Sequence, residues 1–198
     1  MELGLLCRSL ILLWALPIKA QDSFPYMIRI LPLSSVPLQP DFQDDQFQGK
    51  WYAVGVADNT IQNGNESNLT MYSINYELKE DHSFNMNTTL LRDNVCEYSM
   101  KTLIPSFQPG HFSLHNLRSY RGMMSYTVRV VATNYFEFAM VYRQKIVRFK
   151  VYYKITLYGR TKELSPELKE RFIKFAKTLC LTEDNVTFPV PVEECIDD

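Results

Sequence analysis

Tyr72-Ser73-Ile74-Asn75-Tyr76-Glu77-Leu78, followed by Lys79-Glu80-Asp81-His82 and then Ser83, is the stretch that decides the fold class. Tyr72, Ile74, Tyr76 and Leu78 alternate with Ser73, Asn75 and Glu77, the period of two that sends successive side chains to opposite faces of a strand. The polar tetrapeptide is a tight connection to the next run, which starts at Ser83. The same rhythm continues on both sides. Strands are expected over 50–57, 70–79, 83–91, 95–104, 111–115, 123–132, 135–143 and 147–158. Eight strands in series, with short links and no helix between them, predict an antiparallel barrel or sandwich, most simply in up-and-down order.

One helix follows, expected over about 165–180. Ser165 suits the N-cap, Pro166 the first helical position and Glu167 the positive end of the dipole. Leu168, Phe172, Phe175, Ala176 and Leu179 form one apolar stripe, with Lys169, Glu170, Lys174 and Lys177 on the other side. The stripe predicts a helix packed against the outside of the barrel.

The chain begins differently. Leu10-Ile11-Leu12-Leu13-Trp14-Ala15-Leu16 follows Arg8 and stops at Pro17, too short for the ~20 apolar residues of a membrane span. Ala20 then precedes Gln21-Asp22, which suits a signal peptide over residues 1–20. The expectation is a secreted chain with no membrane span, a single domain over 21–198 with its barrel at about 49–158, and Gln21 able to cyclise to pyroglutamate.

Charge and motifs exclude several classes. Lysine and arginine total 21 against 22 acids, so no basic field points to nucleic acid. Seven glycines are scattered too widely for a phosphate-cradling loop, which removes the Rossmann and P-loop folds. His111 and His115 on one strand would lie ~13 Å apart, too far to share a metal, and His82 is isolated. Cys-x-x-Cys, His-Glu-x-x-His and Gly-x-Ser-x-Gly are all missing from the sequence. The chain therefore reads as a binding protein, not an enzyme, with no direct metal site.

Cys7 leaves with the signal, so Cys96, Cys180 and Cys195 remain. An odd number predicts one disulfide and one leftover thiol, with three pairings open. Cys96–Cys195 is favoured because it ties the tail to the barrel. Cys180, in the helical segment, is expected to be buried; the alternative is an intermolecular bond, making the protein a monomer or a Cys180-linked dimer. Asn65, Asn68, Asn87 and Asn185 head N-x-S/T sequons and are candidate glycan sites, expected at the surface.

From Arg143 to Lys154 five basic residues interleave with aromatics. The plain reading is a solvated hairpin face. Parity by itself sends Val151, Tyr153, Ile155 and Leu157 inward and Lys154, with Tyr152, Thr156 and Tyr158, outward. A ligand cup would permit the reverse, and periodicity leaves both open.

Gly49-Lys50-Trp51-Tyr52, Thr133-Asn134-Tyr135 and Gly159-Arg160 resemble the three signature regions of the lipocalins. That resemblance implies an eight-stranded up-and-down calyx with a flanking helix. It assigns structural roles to Gly49, Trp51, Thr133, Tyr135 and Arg160, the arginine lying across the tryptophan at the closed end. Longer runs, Val36-Pro37-Leu38-Gln39, Asp45 to Tyr52, Lys154 to Leu164, Phe188 to Pro191 and Cys195-Ile196-Asp197, are similar to the siderophore-capturing branch of that family.

The branch resemblance implies an innate-immune iron-sequestering protein whose ligand is a ferric catecholate siderophore, with iron held only through it. Lys145, Lys154, Lys101, Tyr72, Tyr126 and Tyr158 would line the calyx, and a cell-surface receptor would be a partner. It also implies the Cys96–Cys195 pairing. The chain departs from that branch at Ser99 (a tryptophan there), Lys101 (an arginine) and Arg143 (a phenylalanine). Ser99 and Arg143 are thus further candidates for ligand contact. Phe107 stands where the branch's cysteine links to gelatinase B, which removes the basis for that partner. The runner-up function is an extracellular carrier of a retinoid, a fatty acid or a similar small hydrophobic acid.

Overall fold

The computed structural model describes residues 31–61 and 69–197; the signal segment, Gln21, Asn65 and Asn68 lie outside them. All eight expected strands are present: β1 (Gly49–Asp58), β2 (Tyr72–Leu78), β3 (Phe84–Arg92), β4 (Val95–Pro105), β5 (His111–Leu114), β6 (Met123–Thr133), β7 (Phe138–Val147) and β8 (Lys150–Gly159). Each pairs antiparallel with the next, and β1 closes the barrel by pairing with both β2 and β8. It does so in two parts. Gly49–Tyr52 face β2, and Tyr52–Asp58 face β8 across a bulge between Ala53 and Gly55 that bends the strand from one partner to the other. A two-residue β9 (Val186–Thr187) adds to the outer edge of β1.

The boundaries around β7 and β8 differ most from those expected. β7 starts three residues later, after a turn, and runs on to Val147, and β8 starts three residues later because the chain reverses at Arg148-Phe149. Both residues lie in the left-handed region, at φ 48° and 65°, making a two-residue hairpin turn without the Gly or Asn that marks one in a sequence. Tyr135, at φ 68°, belongs to the turn before β7. A short helix α1 (Asp44–Phe47), unforeseen in the sequence, carries Phe47 into the closed end of the barrel.

Helix α2 (Pro166–Thr178) begins as expected, the Ser165 hydroxyl accepting from Leu168 N. It packs over β1 so closely that a Cβ at Gly55 would sit 3.1 Å from the Phe172 ring. The helix end corrects one expectation. Leu181 N donates to Ala176 O and Cys180 N to Lys177 O, a C-terminal motif that needs a left-handed residue, and Cys180 fills that place at φ 62°. Cys180 is therefore turned out and exposed as a free thiol, not buried.

The barrel wall separates two apolar clusters. Inside, Trp51, Ile74, Tyr76, Phe84, Leu103, Val128, Val141 and Tyr158 fill the closed end. Outside, Tyr142, Tyr153, Ile155 and Leu157 pack under α2 with Phe172 and Ala176. The disulfide joins Cys96 to Cys195 and fastens the tail, as expected. Asn185 is a second correction: it is 7% exposed, not at the surface. Its side chain donates to Ile61 O and accepts from Thr182 N, so the nitrogen a glycan would need is occupied. Asn87 lies half-buried in mid-strand, paired with Asn75 and Met100.

Candidate functional site

Because α2 covers the outer face of β8, both faces of that strand are buried and hydropathy no longer reports which side is the lumen. The structure reverses simple parity. Tyr153, Ile155 and Leu157 point outward under the helix, while Lys154 and its neighbours of like parity face the lumen. Lys101 on β4 and Arg143 and Lys145 on β7 join it there, with Tyr72 and Tyr126.

The cavity has two lobes that meet at Lys154. One, about 470 Å³, runs between Tyr72, Thr88, Leu90 and Lys154. The other, about 240 Å³, is walled by Lys101, Tyr126, Arg143, Lys145 and Tyr152. Ser99 sits exposed on β4 opposite Thr88, so the wall that an aromatic there would supply is missing. Tyr158 is fully buried beneath the cavity.

Cations and rings are paired throughout. Lys154 Nζ lies 5.5 Å from the centre of the Tyr72 ring, Lys145 Nζ 5.3 Å from Tyr152, and Arg143 Cζ 5.4 Å from Tyr158. Tyr152 and Thr156, which accepts or donates at 3.4 Å to the Tyr72 hydroxyl, are site residues that the sequence put on the same face as Lys154, a face that parity alone sent outward, without assigning them a role. Tyr76 was missed, although it continues the Tyr72–Ile74 alternation. Its hydroxyl accepts from Arg143 Nη2 at 2.8 Å.

Cations outnumber carboxylates: Lys101, Arg143, Lys145, Lys154 and Arg92 line the two lobes against Asp58 and Asp93. Arg143 and Lys154 are direct cross-strand partners, an arrangement that like charges make costly. Among the described residues none of Lys101, Lys145, Lys154 and Arg143 forms an ion pair. Asp58 faces Lys154 across β1 and β8, but its Oδ1 accepts from Thr60 N and Oγ1. Burial pushes the Lys101 ammonium below its ordinary value, and Arg143, Lys154 and Lys145 push it the same way. Burial resists ionisation of Tyr72, yet Lys154 and Arg143 outweigh it and bring the hydroxyl down to about 8. Tyr126, Tyr76 and Tyr158 go the other way, held protonated chiefly by burial. Clustered cations and rings of this kind attract anionic and aromatic groups.

The opposite end is closed and structural. Arg160 Cζ stacks 3.7 Å from the Trp51 ring, while its nitrogens donate to the carbonyls of Gln46, Gln48, Lys50 and Tyr135. Trp51 Nε1 donates to Phe47 O. Thr133 Oγ1 donates to Phe138 O and accepts from Tyr135 N, fixing the turn before β7, and the Tyr135 hydroxyl accepts from Gln43 N. A Cβ at Gly49, φ 95°, would meet Arg160 Nη1 at 3.2 Å. These residues hold the barrel shut and touch no cavity.

Among the described residues no three His, Cys, Asp or Glu side chains cluster as metal ligands, and no helix is long and apolar enough to cross a membrane.

Residues 48–193 match the lipocalin / cytosolic fatty-acid binding protein family model. The chain is 53% identical to human (Homo sapiens) neutrophil gelatinase-associated lipocalin over 197 residues, covering all of both chains. It is 33% identical to mouse (Mus musculus) prostaglandin-H2 D-isomerase, over 80% of this chain and 84% of that one. The solution structure of lipocalin 12 from rat epididymis superposes with a TM-score of 0.71 at 28% identity, covering 80% of this chain and 90% of that one.

Proposed function

The chain belongs to the lipocalin family, and from that premise we propose that it is a secreted, non-enzymatic binding protein that sequesters ferric catecholate siderophores. One observation carries the reading: Lys101, Lys145, Lys154 and Arg143 converge on a single tyrosine-walled lumen and form no ion pair among the described residues, Asp58, which also lines it, being engaged by Thr60. A ferric tris-catecholate brings about three negative charges and three aromatic faces to that lumen, each cation–π contact contributing ~0.5–2 kcal/mol. Iron enters only as cargo inside the ligand. Withholding it from bacteria is the consequent role, with uptake through a cell-surface receptor.

Other features agree with this reading. A lipocalin enzyme acting through a cavity thiol has no such group among the described residues, since Cys96 is disulfide-bonded and Cys180 lies past the outer helix. Phe107, fully exposed, offers no thiol for a covalent gelatinase link. A retinoid or fatty-acid carrier ranks second, because the smaller lobe is walled by Lys101, Gln144, Lys145 and Lys154 instead of by aliphatic side chains.

Retention of a ferric catecholate's visible absorbance through ultrafiltration tests the proposal, with Lys145→Ala/Lys154→Ala as control. Colour retained by the wild type and lost from the variant is expected. No colour on the wild type, with retinoid or fatty acid bound instead, replaces sequestration by the carrier reading.

A further inference from the structure

Charge is segregated along this chain although its total is close to zero. Between Glu97 and Glu163 the only acid is Glu137, while lysines and arginines recur throughout. Such asymmetry points to an anionic surface as partner. Most of those cations have roles already: Lys101, Arg143, Lys145 and Lys154 in the lumen, Arg160 at the closed end, Arg129 on Val36 O and Lys162 on Asp197. The remainder, Arg118, Arg121, Arg148 and Lys150, are all exposed. Among the described residues none of them forms an ion pair.

The fold gathers these cations at the mouth of the barrel. β8 runs from Lys150 toward Arg160 at the closed end, so the β7–β8 turn lies at the open one. Met123 pairs with Val147, which brings the end of the β5–β6 loop beside that turn. The two are fastened together: Arg148 N donates to Gly122 O at 2.9 Å, and a Cβ at Gly122 would meet Arg148 Cγ at 3.2 Å. Apolar side chains stand among the charges. Phe149 is 85% exposed at the tip and Met124 48% exposed in the β6 bulge beside Val147. Of the acids at that end among the described residues, Asp58 is held by Thr60 and Glu97 pairs with Arg92, while Asp93 sits in the β3–β4 turn across the barrel. We propose that this rim docks the barrel mouth-down on an anionic lipid bilayer. Arg118, Arg121, Arg148 and Lys150 meet the headgroup phosphates and carboxylates, and Phe149, with Met124 beside it, enters the interface. An exposed ring ringed by cations suits that boundary, where one side is apolar and the other wet and negative. The docking uses none of the lumen's side chains and does not rest on the siderophore reading.

Flotation of the protein with vesicles of phosphatidylcholine, alone or with about a third phosphatidylserine, reads the docking. Binding to the anionic vesicles should exceed binding to the neutral ones about tenfold or more, and should fall away as added salt shortens the Debye length. Arg148→Gln/Lys150→Gln should weaken it roughly twentyfold, about fivefold for each lost charge. Phe149→Ser should weaken it several-fold and keep its salt dependence. Phe149→Trp reads the placement: its emission should shift to the blue on anionic vesicles, while buried Trp51 stays unchanged. All of these substitutions should leave ferric catecholate retention as in the wild type, because Arg148, Phe149 and Lys150 line neither lobe of the cavity.

Equal binding to the two vesicles overturns the proposal, as does anionic binding that survives Arg148→Gln/Lys150→Gln. Anionic binding with no blue shift from Phe149→Trp overturns it too, because another face is then on the membrane. Retention on immobilised heparin without vesicle binding assigns the rim to a sulfated glycan instead. Failure of the wild type to retain ferric catecholate, with vesicle docking intact, would remove the sequestration reading and leave the docking standing.

Discussion

Tyr72 is the residue whose chemistry depends most on its neighbours. In an unfolded chain its hydroxyl titrates at its ordinary value of about 10, and in the calyx it falls to about 8. A group whose pKa is depressed by folding stabilises the native state above its unfolded pKa and loses that contribution as pH falls through the folded one. Stability should therefore rise between pH 8 and 10 through this group. Ultraviolet titration at the tyrosinate band should show one early-ionising tyrosine that disappears in Tyr72→Phe and moves upward in Lys154→Ala. A first ionisation unchanged by either substitution would contradict the assignment. At this scale the candidate list was largely legible. The resemblance marked Lys101, Lys145 and Lys154, and all three face the cavity. Tyr76 went unrecognised because a tyrosine among apolar residues carries no sign that an arginine 67 positions away will meet its hydroxyl.

Among the elements, the β7–β8 hairpin shows where local signals mislead. Arg148 and Phe149 adopt left-handed backbone angles that neither residue prefers, and Phe149 stands 85% exposed at the tip. Replacing the pair by Asn-Gly keeps the turn and removes strain worth roughly 1–2 kcal/mol per residue, partly offset by the freedom glycine gains when unfolded. Tm should rise by a few degrees, with ligand retention unchanged because Lys145 lies three residues before the turn. A fall in Tm would show that the side chains at the tip are held by contacts stronger than the strain. Helix α2 is the opposite case. Its cap, its proline and its stripe all agree, and the element forms within two residues of its expected ends. The difference is that the helix is specified by residues next to one another, whereas the hairpin turn is imposed by pairing of the ten residues on either side.

For the whole molecule, the Cys96–Cys195 bond closes a loop spanning 99 residues and joins the tail to β4. Replacing both cysteines by alanine should cost on the order of 2–5 kcal/mol, seen as a lower urea midpoint and an earlier melt. A midpoint that does not move would mean the tail is held without the bond, by Lys162 on Val192 O and Asp197 and by Lys50 on the Ile196 and Asp197 carbonyls. Alkylation of the native protein should modify one thiol, Cys180, and no other described cysteine. The sequence by itself determined the strand count, the flanking helix and the presence of one disulfide with one leftover thiol, because alternation, capping and cysteine arithmetic are properties of nearby residues or simple counts. The Cys96–Cys195 pairing is favoured there for tying the tail and implied by the family resemblance. Only the tertiary structure decided which face of β8 is the lumen. An outer helix buries the wall from one side and a ligand cup leaves polar groups on the other, so hydropathy and burial part company at that strand. The same closure of β1 onto β8 and β2 set Arg143 against Tyr76 and Tyr158, a meeting of three strands that no stretch of chain records.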